Sequence, residues 1–68
     1  MDEITIFVKE ATLGPQIQQI EDIVNSLDGV IRVLIDTTDG EIKVEFDRNK
    51  ISGENIEIAI WENDYHII

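Results

Sequence analysis

The chain has no cysteine among its 68 residues. This absence excludes disulfide bonds, thiolate metal ligands and cysteine nucleophiles. Aromatic residues make up only 6% of the chain, and it has a single proline. No apolar run approaches the roughly 20 residues that a membrane-spanning helix needs. We therefore expect one small domain that is stabilised by packing alone and does not insert into a membrane.

Basic residues are also scarce, because five lysines and arginines stand against fifteen aspartates and glutamates, giving a formal net charge of −10. The acidic residues are spread from Asp2 to Asp64. Such a surface repels phosphate backbones and anionic headgroups, so we expect no nucleic-acid ligand and favour a protein partner with basic residues. The charge alone would also keep a small cytoplasmic domain soluble and monomeric, and the cytoplasm is the expected location.

What the chain does contain is regularly spaced apolar residues, which make up 43% of the total. Residues 3–9 alternate between apolar and polar types, which predicts a strand that faces a core with Ile4, Ile6 and Val8. The same reasoning predicts three further strands, over residues 30–37, 41–46 and 65–68. A hairpin turn at residues 38–40 joins the second and third of these.

Two helices are predicted between the strands. The first covers residues 15–27, because Pro15 suits a first helical position and the apolar residues that follow recur at steps of three and four. The second begins after Ser52, a favourable N-cap residue, and runs to about Asn63. The order β-α-β-β-α-β predicts an α+β, ferredoxin-like open sandwich, in which two helices cover one face of a four-stranded antiparallel sheet. Residues 1–68 form a single domain on this interpretation.

From Ile4 to Ile68 the chain resembles the heavy-metal-associated domain, the family of the copper chaperones. Residues 12–16 (Thr-Leu-Gly-Pro-Gln) stand where that family carries threonine, cysteine, two variable residues and cysteine. Residues 46–47 (Phe-Asp) resemble its aromatic–aspartate pair, and Tyr65 fits its final loop. The resemblance implies the ferredoxin-like fold and a link to metal transport.

The departure from this family lies on the metal site. Leu13 and Gln16 occupy the two cysteine positions, and Ala11 replaces the usual methionine. Family members hold Cu(I) or another soft ion between two thiolates, whereas leucine has no lone pair and a glutamine amide is a hard, weak ligand. We therefore expect no metal and no cofactor at this loop. Thr12 and Tyr65 are retained beside it, and Tyr65 is expected to pack against Leu13.

One candidate partner surface lies on the outer side of the second helix. The inward stripe is predicted at Ile56, Ala59 and Ile60, which leaves Ile58 and Trp61 facing solvent. These two are three residues apart and therefore adjoin, and tryptophan beside a branched aliphatic residue is typical of a binding hot spot. Isolated exposed apolar residues are also normal on protein surfaces, so partner binding and simple exposure are both kept as interpretations.

A second candidate surface is the open face of the sheet, where Phe7 and Leu34 point away from the helices. An uncovered face or an exposed edge strand can self-associate, and the second strand is the predicted edge. Arg32 and Glu45 would moderate such association.

The remaining polar residues suggest little chemistry. Glu21 and Asp22 lie on the exposed side of the first helix with no cleft implied, so we assign no catalytic residue and expect no enzyme. His66 is the only histidine and is expected on the outward face of the fourth strand. Together with Asp64 and the Met1 sulfur it defines an alternative, non-thiolate metal site.

Three functions are consistent with the sequence. The first is a protein-interaction or accessory module linked to metal transport, which has lost the thiolate metal site. The second is a weak or non-thiolate metal-binding protein. The third is a small-ligand regulatory domain that acts as a dimer.

Overall fold

The structure is a computed structural model that describes residues 2–12 and 14–68. In chain order it contains β1 (Asp2–Phe7), a 3-10 turn (Lys9–Thr12), α1 (Gly14–Asn25), β2 (Val30–Asp36), β3 (Glu41–Phe46) and α2 (Gly53–Glu62). The two helices and the first three strands lie where the sequence predicts them, to within two residues at each end. No helix within the described ranges is long and apolar enough to cross a membrane.

The strands form an antiparallel sheet in the order β1-β3-β2. β3 lies in the centre, and its inward residues Ile42 and Val44 are completely buried. Val44 is opposite Ile4 on one neighbour and Val33 on the other. This register aligns the apolar residues of all three strands on the face that the helices cover.

The core lies between that face and the two helices. It contains Ile6, Val8, Ala11, Ile20, Val24, Ile42, Val44, Phe46, Ile56, Ile60 and Tyr65. Both helices contribute two residues each from their predicted apolar stripes, and no charged side chain is buried among the described residues. Packing of aliphatic side chains is therefore the main source of stability.

The prediction that residues 65–68 form a fourth strand is wrong. The last residues form one isolated bridge, between Val8 and Ile67, so the sheet formed by residues 2–12 and 14–68 has three strands and not four. The Lys9 N–H donates to the His66 carbonyl at 3.0 Å and the Ile68 N–H to the Phe7 carbonyl at 2.8 Å. The 3-10 turn that begins at Lys9 leaves the residues before His66 without an extended partner. The His66 N–H is instead bound by the Glu10 side chain at 2.9 Å.

The ends of the helices follow from local chemistry. Ser52 is the N-cap of α2 as predicted, because its side chain accepts a hydrogen bond from the Asn55 N–H at 3.1 Å. α1 ends at Asn25, two residues earlier than predicted, and a turn follows it. Gly29 then takes a φ of +99°, a left-handed conformation that glycine adopts without steric cost.

Candidate functional site

The loop that corresponds to the family's metal loop is a 3-10 turn that leads into α1. Ala11 belongs to this turn and is completely buried. The Thr12 hydroxyl donates to the Lys9 carbonyl at 3.1 Å, so this side chain closes the turn. Gln16 lies half-buried in the first turn of α1. Leu13 lies outside the described residues, and its contact with Tyr65 stays a prediction.

Tyr65 joins the end of the chain to α1. Its side chain belongs to the core and is only 8% exposed. Its hydroxyl donates to the Gln19 side-chain oxygen at 2.7 Å. The preceding Asp64 has a φ of +67°, which reverses the chain direction between α2 and the Ile67 bridge. The sequence analysis places Tyr65 near the loop and assigns no role to Gln19.

Glu10 holds the backbone and the side chain of His66 together. The His66 N–H donates to Glu10 Oε1 at 2.9 Å, and His66 Nδ1 lies 2.6 Å from Glu10 Oε2. The bond from the imidazole, followed by the bond from the backbone N–H, lowers the pKa of the Glu10 carboxyl to about 2. An ionised carboxylate can only accept, so Nδ1 carries the proton.

The role of Glu10 was missed by the sequence analysis. His66 is exposed as predicted, with 77% of its side chain accessible, whereas only 17% of the Glu10 side chain is accessible. The sequence signal for this contact was an acidic residue just after the first strand together with a histidine in the last segment. Because the first and last strands of this topology are neighbours, that signal was readable once the fold had been assumed.

The donor set around this loop does not fit a soft metal ion. Within residues 2–12 and 14–68, no three histidine, aspartate or glutamate side chains come together in a way that could hold a metal. The carboxylate of Glu10 is already engaged by His66. The amide of Gln16 is a hard ligand, and Cu(I) prefers thiolate or thioether sulfur.

The outer side of α2 carries an exposed apolar surface. Trp61 is 69% exposed and Ile58 is 41% exposed, which confirms their predicted exposure. Together with Ile67 they line a shallow cavity of about 220 Å³, which Glu54 and Glu57 also line. We call these five residues the α2 groove. Their role in binding a partner stays a prediction.

The open face of the sheet is less continuous. Phe7 is 39% exposed and Leu34 is 49% exposed. They lie on opposite edge strands, and the central strand places Glu41 opposite Phe7 and Lys43 opposite Leu34. The Lys43 ammonium lies 3.9 Å from the Glu41 carboxylate. Charged side chains therefore separate the two apolar residues, which do not form one patch.

An antiparallel sheet with two helices on one face matches the ferredoxin-like fold of solved heavy-metal-associated domains, although the described residues form three strands in place of four. The solved structures similar to this chain include a CopZ metallochaperone, with a TM-score of 0.89 and 21% identity over 98% of this chain and 100% of that one. They also include a copper binding domain from HMA7, a P-type ATPase, with a TM-score of 0.88 and 21% identity over 100% of this chain and 95% of that one.

A further similar structure is oxidised MerP from Ralstonia metallidurans CH34, with a TM-score of 0.89 and 19% identity over 98% of this chain and 93% of that one. No protein-family model matches the chain, and no curated protein matches it either. The resemblance found in the sequence is confirmed by the fold of these structures.

Proposed function

We propose that this chain is a protein-interaction module: a heavy-metal-associated type of domain that has lost the thiolate metal site and is linked to metal transport through the proteins it binds. The observation that carries the proposal is the α2 groove, where Trp61 is 69% exposed. The fold is retained while the loop provides no thiolate.

The energetics of burial support a contact role for this surface. Covering a large apolar side chain contributes about 1.5 to 3 kcal/mol, and tryptophan is enriched among the residues that dominate binding energy. Trp61 lies outside the core, whereas its helix neighbour Ile60 is 1% exposed. Trp61 is therefore available to a partner without any rearrangement of the fold.

The link to metal transport rests on the similar structures. Two of them are a metallochaperone and a copper binding domain of a P-type ATPase. A domain of the same shape that holds no metal would act on the proteins of such a system and not on the ion, with no catalytic role. The cytoplasm is the proposed location.

The two alternatives have less support. A non-thiolate metal site would need further ligands beside His66, yet within residues 2–12 and 14–68 no three histidine, aspartate or glutamate side chains come together, and Met1 lies outside the described residues. A regulatory dimer would need a surface that associates with itself, yet the Arg32–Glu45 ion pair at 3.0 Å lies on the open face, and each copy carries a net charge of −10.

Capture of partners by the purified domain tests the proposal. Wild type is compared with Trp61→Ala and with the matched control Leu34→Ala, which removes an exposed apolar side chain from the opposite face of the molecule. We expect bound proteins to be lost with Trp61→Ala and retained with Leu34→Ala. The same proteins bound by Trp61→Ala and wild type would contradict the proposal, and loss only with Leu34→Ala would place the contact on the sheet face.

A further inference from the structure

A second cavity lies at the C-terminal end of α2. Its volume is about 480 Å³, within the range of about 300 to 1,000 Å³ that is typical of ligand pockets. Trp61 is the one residue that it shares with the α2 groove. We call it the α2 end cavity, and it is lined by Trp61, Glu62, Asp64, Tyr65 and His66.

Hydrogen bonds hold the walls of the α2 end cavity in place. The Asp64 N–H donates to the Trp61 carbonyl at 3.0 Å, so the turn after α2 folds back onto the end of the helix. The Tyr65 hydroxyl is bound to Gln19 at 2.7 Å. His66 is held through both its backbone N–H and its imidazole. The cavity is therefore formed before any ligand binds, which lowers the cost of binding.

Three sources of negative charge converge on this cavity. α2 has no basic residue in its last turn, so the partial negative charge of its C-terminus lacks the cation that would complement it. Glu62 and Asp64 add two carboxylates. Neither forms an ion pair within residues 2–12 and 14–68, whereas Asp2, Glu41 and Glu45 each lie beside a basic side chain. The cavity therefore favours a cationic ligand.

We propose that the α2 end cavity binds an arginine side chain of a partner protein, with its guanidinium stacked on the Trp61 indole and hydrogen-bonded to the carboxylates of Glu62 and Asp64. This inference rests on the proposed function and names the side chain that the partner contributes. A guanidinium is planar and always charged, stacks on aromatic faces and donates in a fork that matches carboxylates. One side chain therefore satisfies both the aromatic wall and the charge of the cavity.

Other cations match the α2 end cavity less well. A lysine ammonium is compact and strongly hydrated, so it does not stack in this way. Quaternary ammonium groups are recognised by cages of several aromatic rings, whereas Tyr65 is only 8% exposed and Trp61 is the one exposed ring in this lining. Metal ions lack a third ligand, since no three metal-binding side chains come together within the described ranges.

A second copy of the chain is also a poor source of the arginine. Arg32 and Arg48 are its two arginines. They already lie 3.0 Å from Glu45 and 3.5 Å from Asp2 of their own chain. Both copies would carry a net charge of −10, which opposes their association. The occupant is therefore assigned to a different protein with an exposed arginine.

Matched peptides test the inference without altering the protein. The probe is a capped glycine–arginine–glycine peptide, and its controls replace arginine with citrulline, which has nearly the same shape but no charge, or with lysine. Trp61 is the only tryptophan, so its emission reports stacking, while amide NMR shifts at Asp64 and Tyr65 report the cavity. We expect both signals to change with the arginine peptide, and the two controls to bind about tenfold weaker or more.

Variants of the chain test which residues hold the guanidinium. Asp64→Asn removes one charge, and asparagine tolerates the left-handed backbone at this position. Asp28→Asn is the matched control, because it removes one charge at an exposed residue beside Gly29, which packs against Lys50 before the start of α2. We expect Asp64→Asn to weaken binding of the arginine peptide about tenfold, and Asp28→Asn to leave it unchanged. Trp61→Leu, followed by NMR, should also weaken it.

The outcomes distinguish this inference from the proposed function. No response to the arginine peptide, equal binding of either control peptide, or equal weakening by Asp64→Asn and Asp28→Asn would overturn the arginine site. If capture of partners is still lost with Trp61→Ala, the proposed function survives that result. If capture is unchanged by Trp61→Ala, the proposed function fails on its own evidence. Wild-type self-association that Asp64→Asn abolishes would overturn the choice of a different protein in favour of a second copy.

Discussion

Glu10 connects the turn after β1 to the end of the chain. It accepts hydrogen bonds from both the backbone and the imidazole of His66. Because these bonds favour the ionised carboxylate, they lower its pKa from the ordinary value of 4.5 to about 2. A carboxyl whose pKa is depressed on folding stabilises the folded state at pH values above its unfolded pKa, and loses that effect as pH falls through the folded pKa.

Replacing Glu10 should therefore change how stability depends on acid. We expect the unfolding temperature of wild type to fall between pH 4.5 and about 2, and the Glu10→Gln variant to show a shallower fall. Thermal unfolding followed by circular dichroism at a series of pH values measures this. Glu62→Gln, a change at the exposed end of α2, is the matched control and should keep the wild-type profile. Coinciding profiles for Glu10→Gln and wild type would exclude a stabilising role for the pair.

The hydrogen bond between Tyr65 and Gln19 should contribute measurably to stability. Tyr65→Phe keeps the buried ring and removes the hydroxyl, so we expect the free energy of unfolding to fall by about 1 kcal/mol. Gln19→Ala breaks the same bond, and in urea unfolding the double variant should lose less than the sum of the two single variants. Additive losses would show that the two side chains act independently.

These contacts between side chains could not be predicted from the sequence. Tyr65 was placed near the loop because it fits a family pattern, and its aromatic ring is indeed buried. Gln19 was overlooked because it lies outside the apolar stripe of α1. A hydrogen bond between residues 46 positions apart leaves no periodic signal.

At the scale of elements, the strands differ in how far their own residues determine whether a strand forms and where it ends. β3 was predicted with both its ends because Ile42, Val44 and Phe46 alternate with charged residues on a central strand. The last segment was predicted as a strand from its composition, but strand formation also needs an extended partner. The turn at Lys9–Thr12 removes that partner for the residues before His66, and composition does not show this.

The hairpin between β2 and β3 depends on glycine. Gly40 has a φ of +78°, and an added Cβ would lie 2.4 Å from the Val8 carbonyl oxygen. We expect Gly40→Ala to lower the free energy of unfolding by about 2 to 3 kcal/mol, because the left-handed conformation and the clash both disfavour alanine.

Gly14→Ala is the matched control for this change, since its added Cβ would meet no described atom within 4 Å other than those of its chain neighbours and its own helix backbone. Its stability should stay within about 0.5 kcal/mol of wild type. Urea unfolding measures both variants. Similar stability for Gly40→Ala and Gly14→Ala would mean that the hairpin relaxes without strain, in contradiction to the structure.

At the scale of the whole molecule, the acidic surface opposes folding through self-repulsion. A net charge of −10 on 68 residues should make stability increase when salt screens it. We expect the unfolding temperature at pH 7 to rise between about 0.01 M and 1 M sodium chloride. The rise should disappear near pH 4.1, the isoelectric point. A rise of equal size at both pH values would assign the effect to something other than charge.

The fold class was predictable because the spacing of apolar residues and the family resemblance indicated the same topology. The function was less predictable, since the residues that carry the family's chemistry are replaced at Leu13 and Gln16. The α2 groove was seen in the sequence as two exposed residues. That Ile67 lies beside them required the structure, because Ile67 is outside α2 and is placed by its bridge to Val8.

The most direct test of the central claim, a heavy-metal-associated fold without a soft metal site, is a titration with Cu(I). The purified chain is titrated without oxygen in the presence of a competing chelator, and amide shifts are followed by NMR. The account predicts no shifts at Thr12, Gln16 or Tyr65 that survive competition. Shifts confined to these residues, with an affinity that the chelator does not overcome, would contradict it and assign the chain to the metal carriers.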